Sequence, residues 1–223
     1  MCNLYSNRTT PEELRRVFGA TTDRVGNQPP LPAIFPRGEA PVVRATPEGR
    51  EAVPMHWGFL MPARSKRTGA PILPKAINNA RDDKLEASRF WSASFRERRC
   101  LVPATSFCEA KGRKPATYYW FGMDGEGDER PPFAMAGLWR RFEGRYRDDE
   151  PVSLDTYTVV TTTPNELVRP IHPDRMVVIL AQDDWETWLH GSPEAARALC
   201  RPFPAERMRI VRSGEGERSD PAA

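Results

Sequence analysis

Histidine and cysteine are scarce in this chain, three and four residues among 223. The cysteines stand at positions 2, 100, 108 and 200, and no two form a C-x-x-C pair. That spacing excludes the familiar structural zinc patterns, and no metal or other cofactor is expected. Long apolar runs are missing too. No stretch approaches the ~20 residues that a membrane-crossing helix needs. The opening "MCNLYSNRTTPEELRR" also lacks the apolar segment of a secretory leader. A soluble chain with free thiols in a reducing cytoplasm is the expectation, with no membrane partner. An excess of charge of one sign is missing as well. Lys and Arg number 33 against 30 Asp and Glu, a net +3 that admits a polyanionic partner without predicting one.

What the chain has in quantity is turn formers and aromatics. Its 23 prolines and 15 glycines argue for many short elements rather than a long-helix bundle. Six tryptophans and ten phenylalanines supply large buried areas despite an apolar fraction of 39%. "TTPEELRRVFG" reads as a helix with Thr10 as N-cap, Pro11 at the first position, Glu13 completing a capping box and Gly19 as the stop. "AVPMHWGFL" reads as a strand followed by a basic loop, "PARSKRTGAP". From residue 100 onward, "CLVPATSFCEA", "TYYWFGM", "FAMAGLWRRF", "DTYTVVTTT" and "RMVVIL" are β-branched or aromatic runs separated by turn residues. "DDWETWLHG" and "SPEAARALC" read as short helices, and "RMRIV" as a last strand.

Consecutive strands without βαβ alternation predict an α+β fold. The expected form is a curved, mostly antiparallel sheet or partial β-barrel with short helices at its periphery. One domain is expected over residues 2–212. The segment 213–223 has no large apolar residue and is expected to be a disordered tail.

Four polar features stand out. Cys2 follows the initiator methionine, "AINNARDD" places two amides and an arginine after an apolar lead, "TSFCEAKG" puts Glu109 at a strand end, and "RPIHPDRM" sets His172 between nearby prolines. Each alone has an ordinary explanation: a frayed terminus, a pair of turn formers, a surface carboxylate, a loop histidine.

Together, "MCNLYS", "HWGF", "NNAR", "RRCLVPATSF", "SFCEAKG" and "PIHPDRMVVIL" resemble, in order and approximate spacing, the SOS response-associated peptidase (SRAP) family. The likeness runs from Cys2 to about residue 212. It implies a protein of DNA damage repair that captures abasic sites in single-stranded DNA through the cysteine at position two. It also implies Cys2, Asn79, Glu109 and His172 as site residues and Arg81 and Arg89 as contacts to the DNA backbone. Trp57 is a candidate stacking platform and Lys111 part of a basic surface, the usual ingredients of single-strand binding. The expected partner is single-stranded DNA containing an abasic site, met by a monomer, near the nucleoid in a bacterium. Departures from the family pattern are Leu4 for an arginine, Asn3 for a glycine, "MPARSK" for a Gly-Trp-Trp-like stretch, Ala110 for an aromatic and "HPDRMV" for His-x-Arg-Met-Pro.

The residues make chemical sense of that resemblance. A free α-amine has a pKa near 7.7–8.0 against about 10.4 for lysine, so roughly a quarter is neutral at about pH 7.4, several hundred times the lysine fraction. Attack on the ring-opened sugar aldehyde gives an imine. The thiol on the adjacent carbon can then close a five-membered thiazolidine, which an internal lysine cannot do. Glu109 and His172 are suited to proton transfer and Asn79 to positioning. Two other readings use the same residues. One is an N-terminal-cysteine hydrolase or autoprocessing peptidase, whereas a lyase activity would accompany the crosslinking reading itself. The other is a non-catalytic nucleic-acid-binding module in which Cys2 is incidental.

Overall fold

The computed structural model describes residues 2–146 and 150–221. Met1, whose removal would free the Cys2 α-amine, the middle of the "RYRDDE" turn and the last two alanines lie outside the described residues. Along the chain, β1 (Tyr5–Asn7) leads through α1 (Pro11–Phe18) to β2 (Ala20–Asp23) and β3 (Leu31–Ile34). The hairpin of β4 (Glu39–Thr46) and β5 (Gly49–Trp57) follows. A ribbon of β6 (Phe59–Arg64) with β7 (Pro71–Ile77) then leads to the short β8 (Asn79–Arg81). Beyond α2 (Ser92–Glu97) come β9 (Arg99–Ala104), β10 (Ser106–Lys111) and β11 (Thr117–Met123). The long hairpin β12 (Phe133–Arg145) and β13 (Pro151–Thr162) precedes β14 (Met176–Val177) and β15 (Ile179–Leu180). The chain finishes with α3 (Trp185–His190), α4 (Pro193–Ala198) and β16 (Met208–Glu215).

Strand alternation builds two cores from one set of strands. Val42, Val53, Val102, Met135 and Val159 face one cluster, which also holds Trp57 and Tyr157. Their chain neighbours Val43, Ala52, Leu101, Ala136 and Val160 face the other, where Leu14, Phe18, Phe95, Trp185 and Trp188 from the helices cover them. Each large side chain so buried stabilises the fold by about 1.5–3 kcal/mol relative to exposure. The first cluster lies inside a barrel. β13, β12, β9, β4 and β5 pair antiparallel in that order, and β5 returns to β13 through a parallel seam of two residue pairs, Thr156 with His56 and Tyr157 with Trp57. The expected α+β, mostly antiparallel barrel with peripheral short helices is therefore present, and it is closed.

A second sheet, ordered β16-β11-β10-β1-β3, shares that inner cluster through Tyr5, Phe107 and Phe121. Helix α1 forms as its sequence dictates. The Thr10 hydroxyl accepts from Glu13 N, the Glu13 carboxylate accepts from Thr10 N at 2.8 Å, and Gly19 takes the left-handed conformation at φ 65°. Its Phe18 ring stacks on Trp185 at 5.0 Å. No helix among the described residues is long and apolar enough to cross a membrane.

Three readings need correction. Gly58, at φ 111°, breaks "AVPMHWGFL" into two strands: an added Cβ there would lie 2.8 Å from that of Ala76, so the chain turns where only glycine fits. The "PAR" of the basic loop belongs to β6. The larger correction concerns 213–223. Ser213 to Glu215 continue β16 alongside β11, the Glu217 carbonyl accepts from Trp120 Nε1 at 2.8 Å, and Asp220 is 1% exposed. Its carboxylate accepts from Ser106 Oγ at 2.7 Å and from Arg130 Nε at 3.1 Å. The segment lacks apolar anchors and is held by a buried ion pair instead, which hydrophobicity alone does not reveal.

Candidate active site

Cys2 precedes β1 and is 1% exposed. Two amides fix its backbone: Asn79 Nδ2 donates to the Cys2 carbonyl at 2.7 Å and Asn78 Nδ2 at 2.9 Å. Asn78 Nδ2 also reaches Asn3 Oδ1 at 2.9 Å. The amide pair is itself held. β8 runs parallel to β13, Asn79 opposite Val159, while the Asn78 carbonyl accepts from Trp57 Nε1 at 3.0 Å and from Val159 N at 3.2 Å. One further acceptor is waiting: Asn79 Oδ1 is buried with no hydrogen-bond partner among the described residues. A buried amide oxygen left this way is costly unless something else fills it.

Beside Cys2 opens a cleft of about 480 Å³, walled by Asn3, Leu4, Cys108, Glu109, Tyr118 and His172. Glu109 sits on β10 opposite Tyr119 and is 4% exposed. Burial pushes its carboxyl from 4.5 up to about 7, so near neutrality it can hold or release a proton. Burial, reinforced by the charge of Glu109, pushes the Cys2 thiol well above the ordinary thiol range. The thiol therefore stays protonated and donates to the Leu4 carbonyl at 3.4 Å. His172 is lowered, chiefly by burial. Its Nδ1 accepts from Arg175 N at 3.1 Å, which leaves the proton of the neutral ring on Nε2.

Two features escaped the sequence reading. The first is the tie between the asparagine and histidine segments. Arg175 Nη2 donates to Asp82 Oδ1 at 2.6 Å, and Thr162 Oγ1 donates to Asp82 Oδ2 at 2.9 Å. The signal was available as an aspartate three residues after Asn79 and an arginine three after His172, but only the fold brings them together. The second is Arg218, which lines the cleft from the segment expected to be disordered.

The structure places Glu109 and His172 in the wall of the cleft, while Cys2 is buried behind its neighbours Asn3 and Leu4, which line it, and Asn79 reaches the site only through the Cys2 carbonyl. Arg81, Arg89 and Lys111 are exposed and are not among the residues that wall the cleft. Arg81 spends both ends of its fork on Asp83, at 2.9 and 3.0 Å. Trp57 is not a stacking platform. At 0% exposure it lies edge-on to Tyr5 at 5.0 Å and parallel to Tyr157, so neither ring face is open to a base. Leu4 packs with Cys108 and Trp120. Among the described residues no three histidine, cysteine or carboxylate side chains converge as a ligand set.

The fold and cleft define a closed-barrel protein whose second residue is pinned beside a protonatable carboxyl. The chain belongs to the SOS response associated peptidase (SRAP) family, whose model matches residues 1–214. It is similar to the abasic site processing protein YoqW of Bacillus subtilis (strain 168), 31% identical over 158 residues. That match covers 69% of this chain and 65% of YoqW, just under two thirds of the relative's length. A crystal structure of a protein from Bordetella bronchiseptica matches with a TM-score of 0.73 and 25% identity, covering 96% of this chain and 99% of that one. Another, from Bacteroides thetaiotaomicron, shares the fold with a TM-score of 0.72 at 21% identity, covering 96% and 91%.

Proposed function

We propose that this protein captures abasic sites in single-stranded DNA as a covalent adduct on Cys2, after removal of Met1 frees the α-amine. The observation that carries the reading is the pinned Cys2 carbonyl. Two asparagine amides hold the backbone of a residue that a chain terminus would otherwise leave frayed, and they hold it against a cleft with a titratable glutamate. The likeness to a protein named for abasic-site processing supports the substrate class.

In this scheme the neutral α-amine adds to the C1′ aldehyde of the ring-opened sugar to give a carbinolamine. Protonated Glu109 delivers a proton to the departing hydroxyl, water leaves, and an iminium forms. The resulting Glu109 carboxylate takes the Cys2 thiol proton as sulfur adds to the iminium carbon, closing a thiazolidine. Attack by the amine first fits a thiol held protonated by its surroundings, and that same property disfavours the thiolate of a cysteine hydrolase. Asn79 Oδ1 accepts an N–H of the reacting amine. His172 Nε2–H donates to a sugar hydroxyl. Arg81, Arg89 and Lys111 serve as outer contacts to the DNA backbone.

The test is a denaturing gel of protein with a native N-terminus, mixed with a single strand carrying one abasic site and, separately, with the undamaged strand. A band that survives denaturation only with the abasic strand, and maps to Cys2, is expected. No such band from protein whose intact mass lacks Met1 would overturn the reading.

A further inference from the structure

We propose that Arg218, seated against Phe35 and Tyr118, forms a phosphate subsite at the mouth of the cleft that takes a phosphodiester next to the captured sugar. The proposal rests on the capture reading and adds to it a contact from the last residues of the chain. Residue 218 lies beyond the 1–214 that the family model matches, so family membership does not supply it.

Three observations converge on this residue. Its guanidinium carbon stands 5.1 Å from the centre of the Phe35 ring and 5.9 Å from that of Tyr118, and all three residues line the cleft that Glu109 and His172 also line. A planar cation on aromatic faces keeps its edge N–H groups free, and those are the donors that match a phosphate bidentately. Among the described residues no carboxylate pairs with Arg218, whereas its neighbours Arg212 and Arg130 are paired with Glu217 and Asp220.

The backbone that presents Arg218 is fixed on both sides. Glu217 O is bound by Trp120, and Asp220 is anchored to Ser106 and Arg130, with its N–H donated to Pro32 O at 2.8 Å. An exposed arginine is ordinarily a long, free side chain. This one is set between two anchors a few residues apart, beside Phe35, which is itself 38% exposed. The cation is therefore placed in advance, and little ordering remains to oppose binding. A sugar within reach of Glu109 and His172 shares its cleft with that cation, and the charge nearest to such a sugar is its own 5′ or 3′ phosphodiester.

The experiment is a thermodynamic cycle on equilibrium binding. The strand carries a tetrahydrofuran abasic analogue, which has no aldehyde and cannot crosslink. Each phosphate flanking the analogue is replaced in turn by an uncharged methylphosphonate, and each strand is titrated against wild type and Arg218→Ala by fluorescence anisotropy. We expect one flanking replacement and Arg218→Ala each to weaken binding about tenfold, and the two together to weaken it no further. Arg218→Ala should also lower the slope of log affinity against log salt by about 0.7. Additive losses at both flanking phosphates, or an unchanged salt slope, would overturn the subsite. Failure of the capture reading shows itself separately, as no adduct with the aldehydic strand, and leaves the cycle readable. Arg218 is exposed, so its truncation removes no buried packing.

Discussion

Asp82 and Arg175 form a buried ion pair, 2.6 Å from Oδ1 to Nη2, that joins the strand carrying Asn79 to the loop carrying His172. Arg175 offers its backbone N–H to His172 Nδ1 as well. A single arginine thus holds the imidazole tautomer and the asparagine strand in one frame. Asp82→Asn keeps the shape and removes the charge, leaving the guanidinium buried without its counter-ion. We expect a loss of about 3 kcal/mol in urea unfolding. Capture should slow as well, because the histidine and the asparagine pair lose their common support.

Glu109 supplies a pH signature. Its carboxyl is raised by burial to about 7, above the 4.5 it has when unfolded. The folded protein therefore keeps a proton that the unfolded chain has released. The associated stability is full below about pH 4.5 and is lost as pH rises through 7. Glu109→Gln, neutral at every pH, should raise stability at pH 8 relative to wild type by about 3 kcal/mol and change it little at pH 4. Its capture rate should lack the fall above pH 7 that loss of an acid imposes on the wild type. Denaturation and single-turnover crosslinking across pH 4 to 9 read both effects.

Asn79→Ala removes one of two donors to the Cys2 carbonyl and the unfilled Oδ1 beside it. Asn78 still holds the carbonyl, so the expected cost in stability is only about 1 kcal/mol. The expected cost in capture rate is larger, about ten- to a hundredfold, because misplacing a reacting group slows chemistry more than it weakens folding. Crosslinking rate set against thermal midpoint separates the two.

Trp57→Phe keeps a buried ring and deletes the donor to the Asn78 carbonyl. The core position predicts a loss of about 1–2 kcal/mol in stability with unchanged affinity for undamaged single strands. A fall in strand affinity at constant stability would instead mark the residue as a base platform.

Much of the site was legible because its residues are chemically distinctive and lie in short ordered motifs. Cys2, Asn79, Glu109 and His172 could be named before any fold was known; Glu109 and His172 line one cleft, and Asn79 is bonded to the Cys2 carbonyl next to it. The α+β barrel was legible from strand spacing, and α1 from its capping residues, to within a residue or so. What could not be read was what depends on partners far apart in the chain. Trp57 looks like an exposed platform or a core residue in any one-dimensional reading, and only the rings of Tyr5 and Tyr157 decide. Asp82 and Arg175 lie 93 positions apart. The segment after residue 212 has the composition of a solvated tail, and its docking rests on strand pairing to β11, the Trp120 indole and the Asp220 carboxylate, partners that all lie far back in the chain.

The barrel closes along a parallel seam of only two residue pairs, one of which contains Trp57. Directly after it, Gly58 N donates to Tyr157 O at 2.7 Å, and the Trp57 indole reaches the carbonyl of Asn78, whose side chain holds Cys2. The parallel seam that closes the barrel is thus also the footing of its cysteine. Opening of this seam would release the aligned terminus in the same motion. Warming should therefore silence the protein while most of its strands still stand, with amide exchange at Gly58 rising in step with the loss of reactivity.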